Sequence, residues 1–385
     1  MREVYLDNSA TTFPKPECVY QAVDRFMRNC GGSPGRASHR KSQEADKTVV
    51  KTRQALARLF KISDPSRIVF TCNCTESINL AVKGILQPGD HIVITDLEHN
   101  AVLRPLWKLG KTMGIDISIV ETTIDGFLDP SKVWSAINKR TRLICAVYAN
   151  NVLGTILPIG DLAEIANKSH IPLLVDASQA AGVIPTNVDA MNISLFAFTG
   201  HKGLLGPQGT GGLFIREGIE VHALKQGGTG IGSESPEQPE MSPEGYEPGT
   251  PNAVGIAGLG AAVEFIEMTG IEKIRSHEIS LNTHFIEAIQ EIKGIRIFGP
   301  NDPEKKVGIT LVNFEALDPG DVGKILDKKF GIMVRSGLHC SALTHRKLGT
   351  ERKGAVRFSF GYFNTKEDVD YAIEAIKEIS NAIYH

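Results

Sequence analysis

Three polar side chains follow or end apolar runs in the middle of the chain. Thr75 comes after RIVFTC, Asp176 ends IPLLVD, and Lys202 follows ISLFAFTGH. A lysine amine can form a Schiff base with an aldehyde, and a carboxylate can face a pyridinium nitrogen. The N-terminus of a helix can bind phosphate through its free N–H groups. The three residues together therefore predict a site for an aldehyde cofactor that carries a phosphate and a pyridinium ring.

Each of these residues also has an ordinary structural explanation when it is taken singly. Lys202 could be a solvated loop lysine, and Asp176 could cap a helix. The glycine-rich string at 227–232 does not favour a dinucleotide site, because it is not clearly placed between a strand and a helix. The cofactor hypothesis depends on the three residues acting together, each at the end of a strand.

A separate candidate is Cys340, in the segment RSGLHCSALTH at 335–345. The cysteine could be a nucleophile, a metal ligand or a buried inert thiol. The spacing of His339 and His345 is unlike the common zinc patterns, so we expect no metal site. Glycine, serine, histidine and arginine surround the cysteine where a buried thiol would have a long apolar run. This setting suits a partly exposed, activated thiolate.

Seven short apolar runs between Arg67 and Arg216 are predicted strands. They lack strict alternation, which is typical of strands covered on both faces. Helical segments lie between them, and Thr75 and Asp161 are predicted to cap two of these helices. The runs are RIVFTC, HIVITD, DISIVE, RLICAVYAN, IPLLVDAS, ISLFAFTG and GTGGLFIR. The pattern predicts a three-layer α/β domain with a mostly parallel sheet.

The composition changes at residues 226–252, which are rich in Gly, Pro, Ser and Glu and predict a long loop. Beyond it, the runs VGITLVNF, GIMVRS and AVRFSF alternate with helical segments. The last helix is predicted within 366–383, with Thr365 as its cap. This part of the chain is expected to form a smaller α+β domain.

The bulk composition excludes some classes of function. The net charge of -2 gives no basic field for nucleic acid or an anionic membrane. The N-terminal residues lack the apolar core of a secretory signal, and we find no uncharged apolar run long enough to span a bilayer. We therefore expect a cytoplasmic protein whose six cysteines are free thiols.

Several motifs, in order along nearly the whole chain, resemble those of a known family. They include YLDNSATT at 5–12, DASQ at 176–179, TGHK at 199–202, RSGLHC at 335–340 and RFSFGYFNT at 357–365. The chain resembles the pyridoxal-phosphate enzymes of fold type I in the class V aminotransferase family. Within it, the chain is similar to the group II, or short-loop, cysteine desulfurases and selenocysteine lyases. The resemblance implies a large pyridoxal-phosphate domain at 13–265 with a mostly parallel seven-stranded sheet between helices. It implies a smaller α+β domain formed by 1–12 and 266–385, which carries Cys340.

The resemblance also implies the role of each site residue. Lys202 would form the Schiff base, Asp176 would pair with the ring nitrogen, and His99 would stack on the ring and move protons. Arg357 would hold the substrate carboxylate, with Asn151 and Arg335 also at the substrate. The implied cofactor-binding residues are Cys74, Thr75, His99, Asn151, Asp176, Gln179, Thr199, His201, Lys202 and Thr250. Lys202, Cys340 and His99 are the implied catalytic residues.

The implied activity is conversion of L-cysteine to L-alanine, with a persulfide formed on Cys340 and passed to an acceptor. The implied assembly is a homodimer in which Thr250 reaches the cofactor phosphate of the other subunit. Selenocysteine lyase activity and a family enzyme without sulfur transfer are the alternatives. A scaffold without enzymatic activity is disfavoured because Lys202 and Asp176 are both present. The sequence does not identify the sulfur acceptor or the pathway that uses the sulfur. Iron-sulfur cluster assembly is one of the candidate pathways.

Overall fold

The computed structural model of the protein describes residues 2–35, 37–232 and 234–384. Its strands are β1 (Val4–Tyr5), β2 (Ile68–Thr71), β3 (His91–Thr95), β4 (Asp116–Val120), β5 (Thr141–Val147), β6 (Leu173–Asp176), β7 (Leu195–Thr199), β8 (Gly211–Ile215), β9 (Ile295–Phe298), β10 (Ile309–Phe314), β11 (Ile332–Met333), β12 (Arg335–Gly337) and β13 (Ala355–Ser359). Its α-helices are α1 (Glu17–Arg25), α2 (Arg40–Phe60), α3 (Cys74–Ile85), α4 (Asn100–Met113), α5 (Pro130–Ala136), α6 (Ile159–Lys168), α7 (Ala253–Thr269), α8 (Ile271–Ile289), α9 (Pro319–Phe330), α10 (Ala342–Lys347) and α11 (Lys366–Tyr384).

The seven predicted strands form one sheet in the order β2-β8-β7-β6-β5-β3-β4. Only β8 runs against the others, since it pairs antiparallel with both β2 and β7. The predicted mostly parallel sheet is therefore confirmed. Parallel neighbours end at the same edge, and Val147 of β5 lies in register with Asp176 of β6. The residues that follow β3, β5, β6 and β7 accordingly converge on one side of the sheet.

Both faces of this sheet are covered, as its apolar strands require. Val93, Val175 and Phe196 face one hydrophobic core, which also takes side chains from α2, α6 and α7. Alternate residues such as Ile94 and Leu174 face a second core with α3 and α4. The domain has the three layers that the sequence predicts.

A four-stranded sheet in the order β12-β13-β10-β9 forms the smaller unit, and all its pairs are antiparallel. The N-terminal strand β1 pairs in parallel with β11. Val4 and Leu6 share a core with Phe285 and Phe358 of the smaller unit. The division into 13–265 on one side and 1–12 with 266–385 on the other stays a prediction, and we propose it on this packing.

Two predicted helix caps are wrong. The Asn73 side chain caps α3 by accepting from the Glu76 N–H, so Thr75 lies inside the first turn of the helix. Helix α6 begins after Pro158, and Asp161 lies in its first turn. In contrast, Thr365 Oγ1 accepts from the Asp368 N–H at 3.2 Å and caps α11 as expected.

Other local features were not assigned from the sequence. Helices α1 and α2 and strand β9 lie in stretches that our sequence analysis left without a prediction. The described part of 226–252 is a loop, as expected, interrupted only by a short 3₁₀ helix at Glu244–Tyr246.

Among the described residues, no one helix combines the length and the apolar composition needed to cross a bilayer. Helices α7 and α8 meet this criterion only when taken together, and an 82° bend separates them.

Candidate active site

Lys202 lies on a tight turn that follows β7, and its backbone is held by the N-terminal segment. The preceding carbonyl, of His201, accepts from the Thr12 N–H at 3.1 Å and from Lys15 Nζ at 2.8 Å. Burial lowers the pKa of the Lys202 amine, and the nearby Asp176 charge opposes this shift. The amine is therefore closer to its neutral, nucleophilic form than an exposed lysine would be.

Asp176 is buried at the end of β6, where its Oδ1 accepts from the Ser178 N–H at 2.9 Å. The same oxygen accepts from the Cys74 thiol, with Sγ 3.4 Å away. Burial, followed by the charge of Asp176, raises the pKa of Cys74 well above 9.0. Cys74 is therefore a protonated donor to Asp176, in addition to being one of the predicted cofactor-binding residues.

His99 precedes the first residue of α4 and caps this helix. Its Nδ1 accepts from the Ala101 N–H at 3.0 Å, which assigns the proton of the neutral ring to Nε2. Burial lowers the pKa of His99 to about 4, and the charges of Lys202 and Arg335 act in the same direction against Asp176. The ring is thus neutral near pH 7 and presents an N–H donor at Nε2.

These side chains line one cavity, which holds about 460 Å³ of space not filled by protein atoms. The cavity brings together nine of the predicted cofactor residues, namely Cys74, Thr75, His99, Asn151, Asp176, Gln179, Thr199, His201 and Lys202. Thr250 does not line it. That residue is exposed and borders a different cavity beside Glu247.

The cavity fits a cofactor with a phosphate and a polar ring. Asn151 Oδ1 and His201 Nδ1 are buried and lack hydrogen-bond partners in the described part of the chain. Buried polar atoms in native proteins usually have a partner, so a ligand in this cavity would satisfy them. The N-terminus of α3, which begins at Cys74, opens into the same space and suits an anion.

Gln179 also lines the cavity, but part of its side chain is already committed. Its Nε2 donates one hydrogen to the Ser9 carbonyl at 3.0 Å, which leaves the second Nε2 hydrogen and the amide oxygen available to a ligand. Gln179 can therefore donate to a ring substituent or accept from one.

Arg357 is buried in β13, and its guanidinium already has two partners. Nη2 donates to Asp7 Oδ1 at 2.7 Å, and Nη1 donates to the Asn151 carbonyl at 2.9 Å. Nε is buried without a partner in the described residues. The charge of Arg357 also acts to lower the pKa of Lys202, whose main cause is burial. Asp7 was not among the predicted site residues, although it lies within the YLDNSATT motif.

Glu98, like Asp7, is not among the predicted site residues. It is fully buried, and its Oε1 accepts from the Val147 N–H at 3.0 Å and from the Thr95 hydroxyl at 2.6 Å. Burial raises its pKa to about 8, and the charge of Asp176 also raises it. Glu98 is thus mostly protonated at pH 7.

Cys340 is exposed, so it is not the buried inert thiol of the alternative hypothesis. Arg335 Nη2 lies 3.8 Å from its Sγ. The Asn100 N–H, at the start of α4, donates to the Cys340 carbonyl at 2.9 Å, and Asn151 Nδ2 donates to the His339 carbonyl at 2.7 Å. These two bonds connect the turn at 339–340 to Asn100, which follows His99, and to Asn151, which lines the cavity.

No group of three or more His, Cys, Asp or Glu side chains in the described ranges is arranged to hold a metal ion.

Comparison with known proteins identifies the family of the chain. Residues 4–372 match the family model described as aminotransferase class-V. The chain belongs to the class V aminotransferase family. Curated relatives of this family include a probable cysteine desulfurase from Methanothermobacter thermautotrophicus, which is 34% identical over 98% of this chain and 94% of its own length. The cysteine desulfurase IscS of Dictyoglomus turgidum is 32% identical over 98% of this chain and 94% of its own length.

Solved structures of the family share the fold. The apo structure of a cysteine desulfurase from Thermococcus onnurineus NA1 has a TM-score of 0.90 and 33% identity, and the match covers 99% of this chain and 95% of the other. The cysteine desulfurase CsdA from Escherichia coli, in an S-sulfonic acid form, has a TM-score of 0.89 and 28% identity, with the same coverage of both chains. The predicted fold type is thereby confirmed.

Proposed function

We propose that this protein is a cysteine desulfurase that converts L-cysteine to L-alanine and keeps the sulfur as a persulfide on Cys340. The observation that carries the proposal is the pairing of two features. Lys202, Asp176 and His99 line one cavity, and the exposed Cys340 is on a turn bonded to the start of α4 and to Asn151. The relatives named cysteine desulfurase, which match nearly the whole chain, support the same conclusion.

We propose pyridoxal 5'-phosphate as the cofactor, because the residues of the cavity fit it. Thr75, at the start of α3, would bind the phosphate together with Thr199 and His201. Asp176 would face the ring nitrogen, and Lys202 would form the Schiff base. When bound, this cofactor supplies an electron sink for the negative charge that develops on the substrate Cα.

The residues around the cofactor then have distinct tasks. Lys202, whose pKa is lowered by burial, removes the Cα proton as the general base. Arg357 would bind the substrate carboxylate through guanidinium hydrogens left over from Asp7 and the Asn151 carbonyl. His99 presents a proton at Nε2, so as a shuttle it must give up this proton before it accepts another.

The sulfur step takes place at Cys340. Its thiolate attacks the substrate sulfur, a sulfur-sulfur bond forms, and the bond between that sulfur and the substrate Cβ breaks. The electron pair of the broken bond stays with the carbon fragment, which takes up protons and leaves as alanine. Arg335, with Nη2 3.8 Å from Sγ, lies beside the attacking sulfur.

We also propose a homodimer in which Thr250 contacts the cofactor phosphate of the partner subunit. The support is that Thr250 is exposed and borders a cavity other than the one that Lys202 lines in its own chain. The sulfur acceptor would be a protein or a small molecule.

A Cys340→Ser variant tests the assignment of the nucleophile. We expect it to bind the cofactor and cysteine, seen as visible absorbance changes, and to form neither alanine nor a persulfide on peptide mass mapping. Cys72→Ser is the matched control, since Cys72 is also exposed, and it should retain both products. Undiminished alanine formation by Cys340→Ser would exclude Cys340 as the nucleophile.

Selenocysteine lyase activity is the alternative reaction at the same site. Comparison of kcat/KM for L-cysteine and L-selenocysteine, with alanine as the common product, decides between the two substrates. A family enzyme without sulfur transfer would yield no persulfide on Cys340 with either substrate.

A further inference from the structure

A buried chain of hydrogen bonds lies behind the Cys340 turn and is not used by the mechanism above. His339, His345 and Thr350 are all buried. His339 Nε2 lies 3.0 Å from the Arg335 carbonyl oxygen, and its Nδ1 lies 3.2 Å from His345 Nε2. His345 Nδ1 lies 2.8 Å from the Thr350 hydroxyl. The two rings are stacked, with centroids 5.4 Å apart and planes 20° apart.

Only one arrangement of protons satisfies this chain with neutral rings. The Arg335 carbonyl can only accept, so His339 Nε2 must carry a proton and Nδ1 must accept. His345 Nε2 then donates to His339, and His345 Nδ1 accepts from Thr350. We call this chain, from Thr350 through His345 and His339 to the Arg335 carbonyl, the histidine relay.

Both rings of the histidine relay are kept neutral by their surroundings. Burial lowers the pKa of His345 to about 4 and that of His339 to about 2. The positive charges of Arg357 on β13 and Arg335 on β12 also disfavour a charged His339.

The histidine relay supports a strained piece of backbone. His339 and Cys340 have φ angles of 50° and 57°, in the left-handed region that non-glycine residues avoid. Two adjacent residues in this conformation persist only when surrounding contacts hold them. Asn100 and Asn151 donate to the Cys340 and His339 carbonyls of the turn, while the histidine relay holds the His339 side chain through His345.

We propose that His345 is a positioning residue for Cys340 and that His345 acts through His339. This inference rests on the proposed function. When the histidine relay is broken, the backbone at 339–340 relaxes and Sγ leaves the geometry from which it attacks the substrate sulfur. Among the described residues, Lys202 and Arg357 share no hydrogen bond with the side chains of His339 and His345, so we expect the variants to retain cysteine binding.

The test compares holoenzyme variants that lose different parts of the histidine relay. His345→Leu removes both the donor to His339 and the acceptor for the Thr350 hydroxyl. Thr350→Val removes the hydroxyl that donates to His345 Nδ1 and that also lies 3.3 Å from the His345 carbonyl oxygen, and it is the milder second variant. Thr350→Ser, which keeps the hydroxyl, is the matched control. We expect kcat to fall about 10- to 100-fold in His345→Leu, which is the scale expected for misplacing a reacting group by about 1 Å. Thr350→Val should lose less, and Thr350→Ser should stay within about twofold of the parent, a threshold chosen well below that effect.

The decisive readout is whether the rate of sulfur transfer changes while cysteine binding does not. In rapid mixing with cysteine, the first absorbance change should keep its rate and concentration dependence in every variant. Only the formation of the Cys340 persulfide should slow. Equal loss of cysteine binding and persulfide formation, or no loss of either in His345→Leu, overturns the inference. Persulfide-independent alanine formation in Cys340→Ser, measured alongside, overturns the proposed function instead.

Discussion

Replacing Asp7 by asparagine should destabilise the protein strongly, because it leaves a buried guanidinium without its negative partner. The side chain of Arg357 is 1% exposed and that of Asp7 is 21% exposed, with 2.7 Å between Nη2 and Oδ1. Breaking a buried ion pair by removing one partner costs about 3–5 kcal/mol. Since water reaches part of Asp7, we expect the lower end, about 3 kcal/mol.

The chain contains a matched control for this prediction. Arg2 and Asp368 are separated by the same 2.7 Å, and Asp368 is 20% exposed, but the side chain of Arg2 is 42% exposed. A solvated pair of this kind contributes less than about 1 kcal/mol. The two variants, Asp7→Asn and Asp368→Asn, therefore change the same chemical group at nearly equal aspartate exposure, and their arginine partners differ in burial. Asp368 Oδ2 also accepts from the Thr365 N–H at 3.1 Å, a bond that the amide oxygen of asparagine can keep.

Urea unfolding of the holoenzyme, followed by circular dichroism, measures both changes. We expect the loss of free energy of unfolding in Asp7→Asn to be about three times that in Asp368→Asn or more, with similar m-values. Equal shifts of the two urea midpoints would refute the reasoning, because the burial of Arg357 would then carry no energetic consequence.

Three further predictions concern individual residues. Iodoacetamide on the native protein at pH 8 should label the exposed Cys340 and spare Cys74, whose pKa burial raises well above 9.0, and peptide mass mapping would show the reverse if this is wrong. In the protein without cofactor, NMR titration should give His99 a pKa of about 4. This value lies below the ordinary 6.5, so the neutral ring stabilises the fold above pH 6.5 and this contribution is lost as the pH falls towards 4. Gly182→Ala should cost more stability in thermal unfolding than Gly114→Ala, and equal losses would contradict this. Both glycines have positive φ, but a Cβ at Gly182 would lie 2.3 Å from the Gly203 carbonyl oxygen, whereas one at Gly114 meets nothing within 4 Å.

Local sequence patterns were sufficient to predict the central sheet and the candidate site residues at its edge. Each of the seven apolar runs became a strand, and all but the edge strand β4 are buried along most of their length, because a strand covered on both faces must be apolar. The position of Asp176 and Lys202 after such runs was enough to place them together, since parallel strands end at one edge.

Features that depend on contacts between distant residues could not be predicted in this way. The Thr75 cap failed because Asn73, two residues earlier, offers a side-chain oxygen to the Glu76 N–H, and both residues are good caps by type. The bond between the Cys74 thiol and Asp176 joins residues 102 positions apart, so no local sequence pattern indicates it.

The sequence by itself therefore determined the order of the strands along the chain, the family resemblance and the set of residues at the sheet edge. The tertiary structure alone decided which atoms of those residues are already engaged. It paired Arg357 with Asp7 across 350 residues, exposed Cys340, and joined His339 to His345 behind it. The physical reason is that apolar periodicity and turn chemistry act over a few neighbouring residues. Burial and the hydrogen bonds of polar side chains are fixed only when elements from both ends of the chain pack together.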